Sequence, residues 1–234
     1  MNTVICMKWG TMYGPEYVNH LHAMVGRHLQ RPHRFVCLTD DTEGITPGIE
    51  CRPIPAMQLG GSPWYAGWRK LAVFAPELHD LEGRVLFFDL DVVIVAALEP
   101  FFEHPGNLCI IENWTQRGQG IGNSSVFRFE AGHHLALLRD FEARPDEVIA
   151  SVANEQTWIS QQAAPVTFWP EPWVRSFKRH CLPPRPLRWF RTPTLPADAH
   201  VIAFHGHPKP PEARDGAWPG RWMRPSPWIA EHWR

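Results

Sequence analysis

Residues 85–95 form one apolar run, interrupted only by two carboxylates, Asp89 and Asp91, set one residue apart. Such a run reads as a buried strand. A buried strand resists charge, because an unpaired ionised carboxylate is costly to desolvate. Residues at i and i+2 of a strand point the same way. The pair therefore marks the end of a strand, where a divalent cation or a reacting phosphate supplies the opposite charge. The simpler alternative is a strand edge with two solvated acids.

The surrounding pattern places the pair in a fold. Residues 3–7, 34–38, 49–54, 84–90, 107–112, 125–129, 166–169 and 200–205 read as strands. Residues 15–29, 64–74, 132–141 and 148–161 read as helices. In the first helix Pro15 suits the opening turn, and Tyr17, Leu21, Met24, Val25 and Leu29 recur at helical spacing. Strands alternating with helices predict an α/β domain with a mostly parallel central sheet flanked by helices. A chain of 234 residues fits one domain with one good core. In open α/β sheets ligands gather at the carboxyl ends of strands. Asp40, Asp89, Asp91 and His205 all fall at such ends.

Bulk properties exclude several classes. Hydrophobic residues are 44% and charged residues 20%, as in an ordinary globular protein. The net charge of −1 gives no case for a nucleic-acid partner. No apolar run approaches the roughly 20 residues of a membrane span. The start reads as a first strand rather than a secretory leader. The five cysteines are scattered without zinc spacing, which points to a reducing, cytoplasmic setting.

Two enzyme classes put Asp-x-Asp after an apolar strand. Nucleotide-sugar glycosyltransferases use it to hold a metal against a diphosphate. Haloacid-dehalogenase-like phosphatases use the first Asp, here Asp89, as nucleophile. The phosphatase motif belongs to the first strand and needs a later acidic pair. Here a long α/β stretch precedes the motif, and the remaining aspartates after residue 100 (Asp140, Asp146, Asp198 and Asp215) stand apart. A non-catalytic sugar- or nucleotide-binding domain is a third reading.

The second signal is the segment 201–210. An apolar strand ends in His205, followed by Gly206, His207, Pro208, Lys209 and Pro210. Imidazole is a good third ligand for Mn²⁺. Glycine lets a backbone approach a phosphate, and Lys209 can meet diphosphate charge. A plain surface turn is the alternative.

Together these residues resemble glycosyltransferase family 8 and related bacterial retaining enzymes, which share the A-type, Rossmann-like fold. Gly206, Lys209 and Pro210 match the family's late His-x-x-Gly-x-x-Lys-Pro motif. The family's metal histidine falls on Ala203, and His205, two residues later on the same strand face, is expected to take that role. The resemblance implies Mn²⁺ or Mg²⁺ held by Asp89, Asp91 and His205. It implies a nucleotide-diphosphate sugar donor, a UDP-sugar, contacted by Tyr13, Asp40, Lys70, Leu90, Lys178, Gly206 and Lys209. Asn123, Glu155 and Gln156 are expected near the reacting sugar. About residues 1–100 form the nucleotide-binding half and about 101–234 the acceptor half. The acceptor is a saccharide, lipid-linked or other small molecule. Glu155 and Lys70 also fit as solvated side chains, and Tyr13 as a packed loop tyrosine.

Residues 171–195 hold six cations, Arg175, Lys178, Arg179, Arg185, Arg188 and Arg191, against Glu171 alone, with Trp173, Phe177, Trp189 and Phe190 interleaved. The segment reads as a solvated basic face, a loop closing over a diphosphate, or a platform for an anionic acceptor. The aromatic tail, with Trp218, Trp222, Trp228 and Trp233, is expected to pack back on the domain, with peripheral contact at the inner face of a membrane as the alternative.

Overall fold

The computed structural model describes residues 2–60, 67–78 and 80–234. Its elements in chain order are β1 (Asn2–Lys8), α1 (Pro15–His28), β2 (His33–Thr39), β3 (Glu50–Arg52), β4 (Arg84–Phe88), β5 (Val92–Ile94), α2 (Glu99–Glu103), β6 (Leu108–Glu112), β7 (Gly122–Glu130), α3 (Leu135–Glu142), α4 (Pro145–Ser151), α5 (Glu155–Gln162), β8 (Thr167–Phe168), β9 (Val174–Ser176), β10 (Val201–Ala203), α6 (Pro210–Asp215) and α7 (Trp228–His232).

Seven strands form the main sheet in the order β3-β2-β1-β4-β7-β6-β8. Only β7 runs antiparallel to its neighbours. The sheet is buried on both faces, as mostly parallel sheets are. Alternate residues serve opposite sides: Val4, Cys6, Leu86 and Phe88 enter one hydrophobic cluster. Ile5, Met7, Val85 and Phe87 enter the other. Helix α1 covers the first face with Tyr17, Val18, Leu21, Met24 and Val25. A 3₁₀ segment, Trp68–Phe74, covers the second together with α3 and α5. All five cysteines are free thiols.

The chain goes outward from β1 to β2 and β3, then returns to place β4 on the other side of β1. A strand-order reversal of this kind opens a crevice beyond the carboxyl ends of β1 and β4. Asp89 is the first residue past the end of β4.

Three sequence expectations need correction. The apolar run around the acid pair is two strands: β4 ends at Phe88, and β5 joins a second, three-stranded sheet, β5-β10-β9. The Asp89 N–H donates to the Ser125 carbonyl of β7, 2.8 Å, and the Phe204 N–H donates to the Asp91 carbonyl, 3.1 Å. Asp89-Leu90-Asp91 is therefore the junction between the sheets. The strand expected over residues 200–205 stops at Ala203 and belongs to the smaller sheet, antiparallel to β5. The helix expected over 148–161 is two helices. Asn154 breaks it in an extended conformation and accepts the Thr157 N–H at 3.1 Å as the cap of α5. The start of the helix expected over 64–74 lies outside the described residues.

Candidate functional site

Each carboxylate of the acid pair meets its own lysine. The Lys70 Nζ lies 2.8 Å from Asp89 Oδ1 and 3.1 Å from Oδ2. It also donates to the Ser124 carbonyl and hydroxyl, both at 3.1 Å, and stands 3.6 Å from Glu155. Lys70 is only 5% exposed, so it is not the solvated side chain that the sequence also allowed. Burial pulls its pKa down, and Asp89 and Glu155 more than offset that, leaving it above the ordinary value. The ammonium is a fixed cation at neutral pH. Asp89→Ala leaves this cation buried with a weaker partner, and a loss of about 1–3 kcal/mol in urea unfolding is expected.

Asp91 is buried, and its Oδ2 accepts from Lys209 Nζ at 2.6 Å and from the Tyr13 hydroxyl at 2.8 Å. The Lys209 ammonium also lies 4.8 Å from the Tyr13 ring centre. Burial first, then the Asp91 charge, raises the Tyr13 pKa, so the phenol stays a neutral donor. Tyr13 is held from behind by Tyr17, with ring centres 4.8 Å apart, and Tyr17 by Trp233 at 5.3 Å.

Strand β10 delivers the third group. Running antiparallel to β5, it ends beside Asp91 and hands the chain to His205. The His205 Nε2 is 2.7 Å from the Ser176 hydroxyl, and its ring stacks on Trp114 at 5.9 Å. Burial, then Lys178, pushes its pKa down to about 4, so the imidazole is neutral at pH 7. Gly206 follows with φ +67, a left-handed backbone that disfavours a side chain, and an added Cβ would sit 3.5 Å from Lys178 Nζ. Lys178 lies against Trp218 at 5.9 Å. The Lys209 backbone N–H donates to Glu212 at 2.7 Å, which seats Lys209 at the start of α6.

Behind Lys70 lies a polar cluster. The Ser124 hydroxyl donates to Glu155 at 2.8 Å, and Asn123 Nδ2 donates to Gln156 at 3.3 Å. Ser124 was not singled out from the sequence. Its only signal is its place between Asn123 and Ser125 on β7, directly after the β6–β7 loop.

A cleft of about 240 Å³ runs over these groups. Of the residues expected from the sequence, Tyr13, Lys70, Asp89, Leu90, Asp91, His205, Gly206 and Lys209 line it. Asn123, Glu155 and Gln156 stand behind it, joined through Ser124 and Lys70. Lys178 abuts Gly206. Asp40 is exposed and accepts the Gly10 N–H at 3.0 Å, so it braces the loop after β1. Among the described residues, no three His, Cys, Asp or Glu side chains converge closely enough to hold a metal ion. Asp89, Asp91 and neutral His205 are the oxygen and nitrogen donors that suit Mn²⁺. In this arrangement those donors are engaged by Lys70, Lys209, Tyr13 and Ser176.

The chain has the GT-A-like glycosyltransferase fold, with its acid pair at the switch point of the mostly parallel sheet. Among solved structures, the galactosyltransferase LgtC, crystallised with donor and acceptor sugar analogues, matches with a TM-score of 0.57 at 15% identity, over 89% of this chain and 88% of its own. An active-site mutant of LgtC matches at 0.60 and 17%, covering 89% of each chain. GlyE from Streptococcus pneumoniae TIGR4 matches at 0.57 and 15%, over 90% of this chain and 56% of its own. Bifunctional WbbM matches at 0.59 and 14%, over 88% and 46%. No protein-family model matches the chain, and no curated protein matches it by sequence. No helix among the described residues is long and apolar enough to cross a membrane.

Proposed function

We propose that the chain is a metal-dependent glycosyltransferase. It moves a sugar from a nucleotide-diphosphate donor, a UDP-sugar, to a saccharide, lipid-linked or other small acceptor, with retention. The observation that carries this reading is the meeting of Asp91, Lys209, Tyr13 and Gly206 in one cleft at the switch point. That LgtC was crystallised with donor and acceptor sugar analogues supports sugars on both sides of the reaction.

In this reading Lys209 meets the diphosphate charge, and Gly206 lets phosphate oxygens approach the backbone. Lys178, beside Gly206, adds a second cation. As the bond from the anomeric carbon to the phosphate breaks, its electron pair leaves with the diphosphate. Fixed cations aimed at that developing charge are the main catalytic device. Asp89, Asp91 and His205 would hold a Mn²⁺ or Mg²⁺ only on giving up their contacts with Lys70, Lys209, Tyr13 and Ser176, and the ion would then supply Lewis-acid stabilisation of the leaving group. The acceptor oxygen bonds to the anomeric carbon from the leaving-group face, and its proton passes to the departing phosphate. Asn123, Glu155 and Gln156, standing behind the cleft, would position Ser124 and Lys70 toward the sugar. None of them is assigned as a nucleophile.

A panel of nucleotide sugars with and without Mn²⁺, read by thermal shift and by release of nucleoside diphosphate, tests the reading. Ligands that bind only the folded state stabilise by mass action. Transfer or donor hydrolysis with a metal-dependent shift supports it. Phosphomonoester hydrolysis without sugar-nucleotide turnover restores the phosphatase reading, with Asp89 as nucleophile. Binding without turnover leaves a non-catalytic sugar-nucleotide domain. For His205→Ala, Mn²⁺ affinity in the presence of donor is expected to fall by about tenfold or more, as for loss of a metal-site group. Unchanged affinity removes His205 from the metal site.

A further inference from the structure

The cleft does not account for a patch on the segments 182–197 and 216–227. Leu187, Trp189, Phe190 and Trp222 are four of the five exposed large hydrophobic side chains among the described residues. Phe190 is 78% exposed and Trp189 56%. The segments are joined by Trp189 and Trp222, whose rings stack at 4.6 Å with planes 12° apart. Soluble proteins scatter exposed apolar side chains singly, and a cluster marks a contact surface.

The same two segments hold Arg185, Arg188, Arg191, Arg221 and Arg224 and no Asp or Glu. Four of these arginines are exposed. Burial first, then the like charges of Arg185 and Arg221, holds the Arg188 pKa below its ordinary value, so these cations are near neighbours. Concentrated cation in a chain of net charge −1 is not a general basic character. Mutual repulsion of the arginines costs stability unless a polyanionic surface offsets it.

We propose that this patch docks the protein on an anionic lipid surface. Trp189, Phe190, Leu187 and Trp222 enter the headgroup boundary, where amphipathic rings are favoured. The four exposed arginines, Arg185, Arg191, Arg221 and Arg224, face the acidic headgroups. The patch reaches the cleft through Trp218: Arg221 lies over that ring at 5.1 Å, and Lys178, which abuts Gly206, lies over it at 5.9 Å. Docking would therefore hold the cleft beside the lipid surface. This inference does not depend on the transfer reaction.

The test is co-sedimentation of the intact protein with phosphatidylcholine vesicles, with and without phosphatidylglycerol. Binding is expected only with phosphatidylglycerol and is expected to weaken with salt. Each arginine near such a surface contributes several-fold in affinity, so R185Q/R188Q/R191Q is expected to lower partitioning by about a hundredfold. W189S/F190S changes exposed side chains, and is expected to lose about tenfold or more while keeping its urea midpoint. Equal partitioning of both variants and the unaltered protein overturns the proposal, as does equal binding to neutral vesicles. A concentration-dependent dimer lost in W189S/F190S, without vesicle binding, assigns the patch to a second copy and also overturns it.

Discussion

Asp91→Asn is expected to lower kcat/KM for sugar transfer by about 10³-fold, the range seen when one charge-stabilising group is removed from an active site. The side chain keeps its size, but its charge goes. Asp91 Oδ2 holds the Lys209 ammonium at 2.6 Å and the Tyr13 hydroxyl at 2.8 Å. Without the charge, Lys209 keeps the Tyr13 hydroxyl and a neutral amide as its partners in the cleft. Tyr13→Phe removes one hydrogen bond to a carboxylate, which contributes about 1.5–3 kcal/mol, so it is expected to lose about tenfold or more. Steady-state kinetics with the donor found in the panel measures both. Asp91→Asn within tenfold of the unaltered protein, with an unchanged melting temperature, would sink the role given to Asp91.

The second large effect is on stability. Arg128→Met is expected to cost about 3–5 kcal/mol, because several buried carbonyls lose their charged donor at about 1–3 kcal/mol each. Arg128 lies on β7 between Phe127 and Phe129, which face the other side of the sheet. It is 0% exposed. Its guanidinium donates to the carbonyls of Phe101 at 3.2 Å, Phe102 at 3.2 Å and His104 at 2.7 Å, and also to Gly106. Those carbonyls belong to α2 and the turn that follows it. Methionine fills much of the volume but takes the Arg128 donor from the Phe101, His104 and Gly106 carbonyls, while the Phe102 carbonyl keeps Arg84. Lysine lacks the planar fork and is expected to restore only part of the loss. Urea unfolding at neutral pH measures the change, and a loss under about 1 kcal/mol for Arg128→Met contradicts this account.

The two residues differ in how visible they were. Asp91 announced itself because a charge inside an apolar run is a local anomaly. Lys209 was visible because proline and glycine frame it. Arg128 sits in an alternating strand, where one charge reads as a solvent-facing position, and only the sheet shows that both faces are covered. Lys70 was proposed as a donor contact, but its pairing with Asp89 joins residues far apart in the chain, so local pattern could not supply it. The mostly parallel sheet was legible from the alternation of strands and helices. The second sheet was not, because β5 and β9 are only three residues long and take their order from pairing with β10. The acid pair concealed the break: apolar residues on both sides looked like one strand, although they serve different sheets.

That break gives the spacing of the motif a cause apart from ligand geometry. Asp89 is tied by its N–H to β7 and Asp91 by its carbonyl to the residue after β10. The three residues between Phe88 and Val92 are thus the full length of a splice. Inserting or deleting one residue there would shift β5 by one position against β10, and a one-residue slip turns every side chain of a strand to the opposite face. Val92, Val93 and Ile94 are all fully buried, so the slip would disturb the packing of both faces at once. The length of Asp-x-Asp in this chain is therefore set by its joinery as firmly as by any ion it would hold.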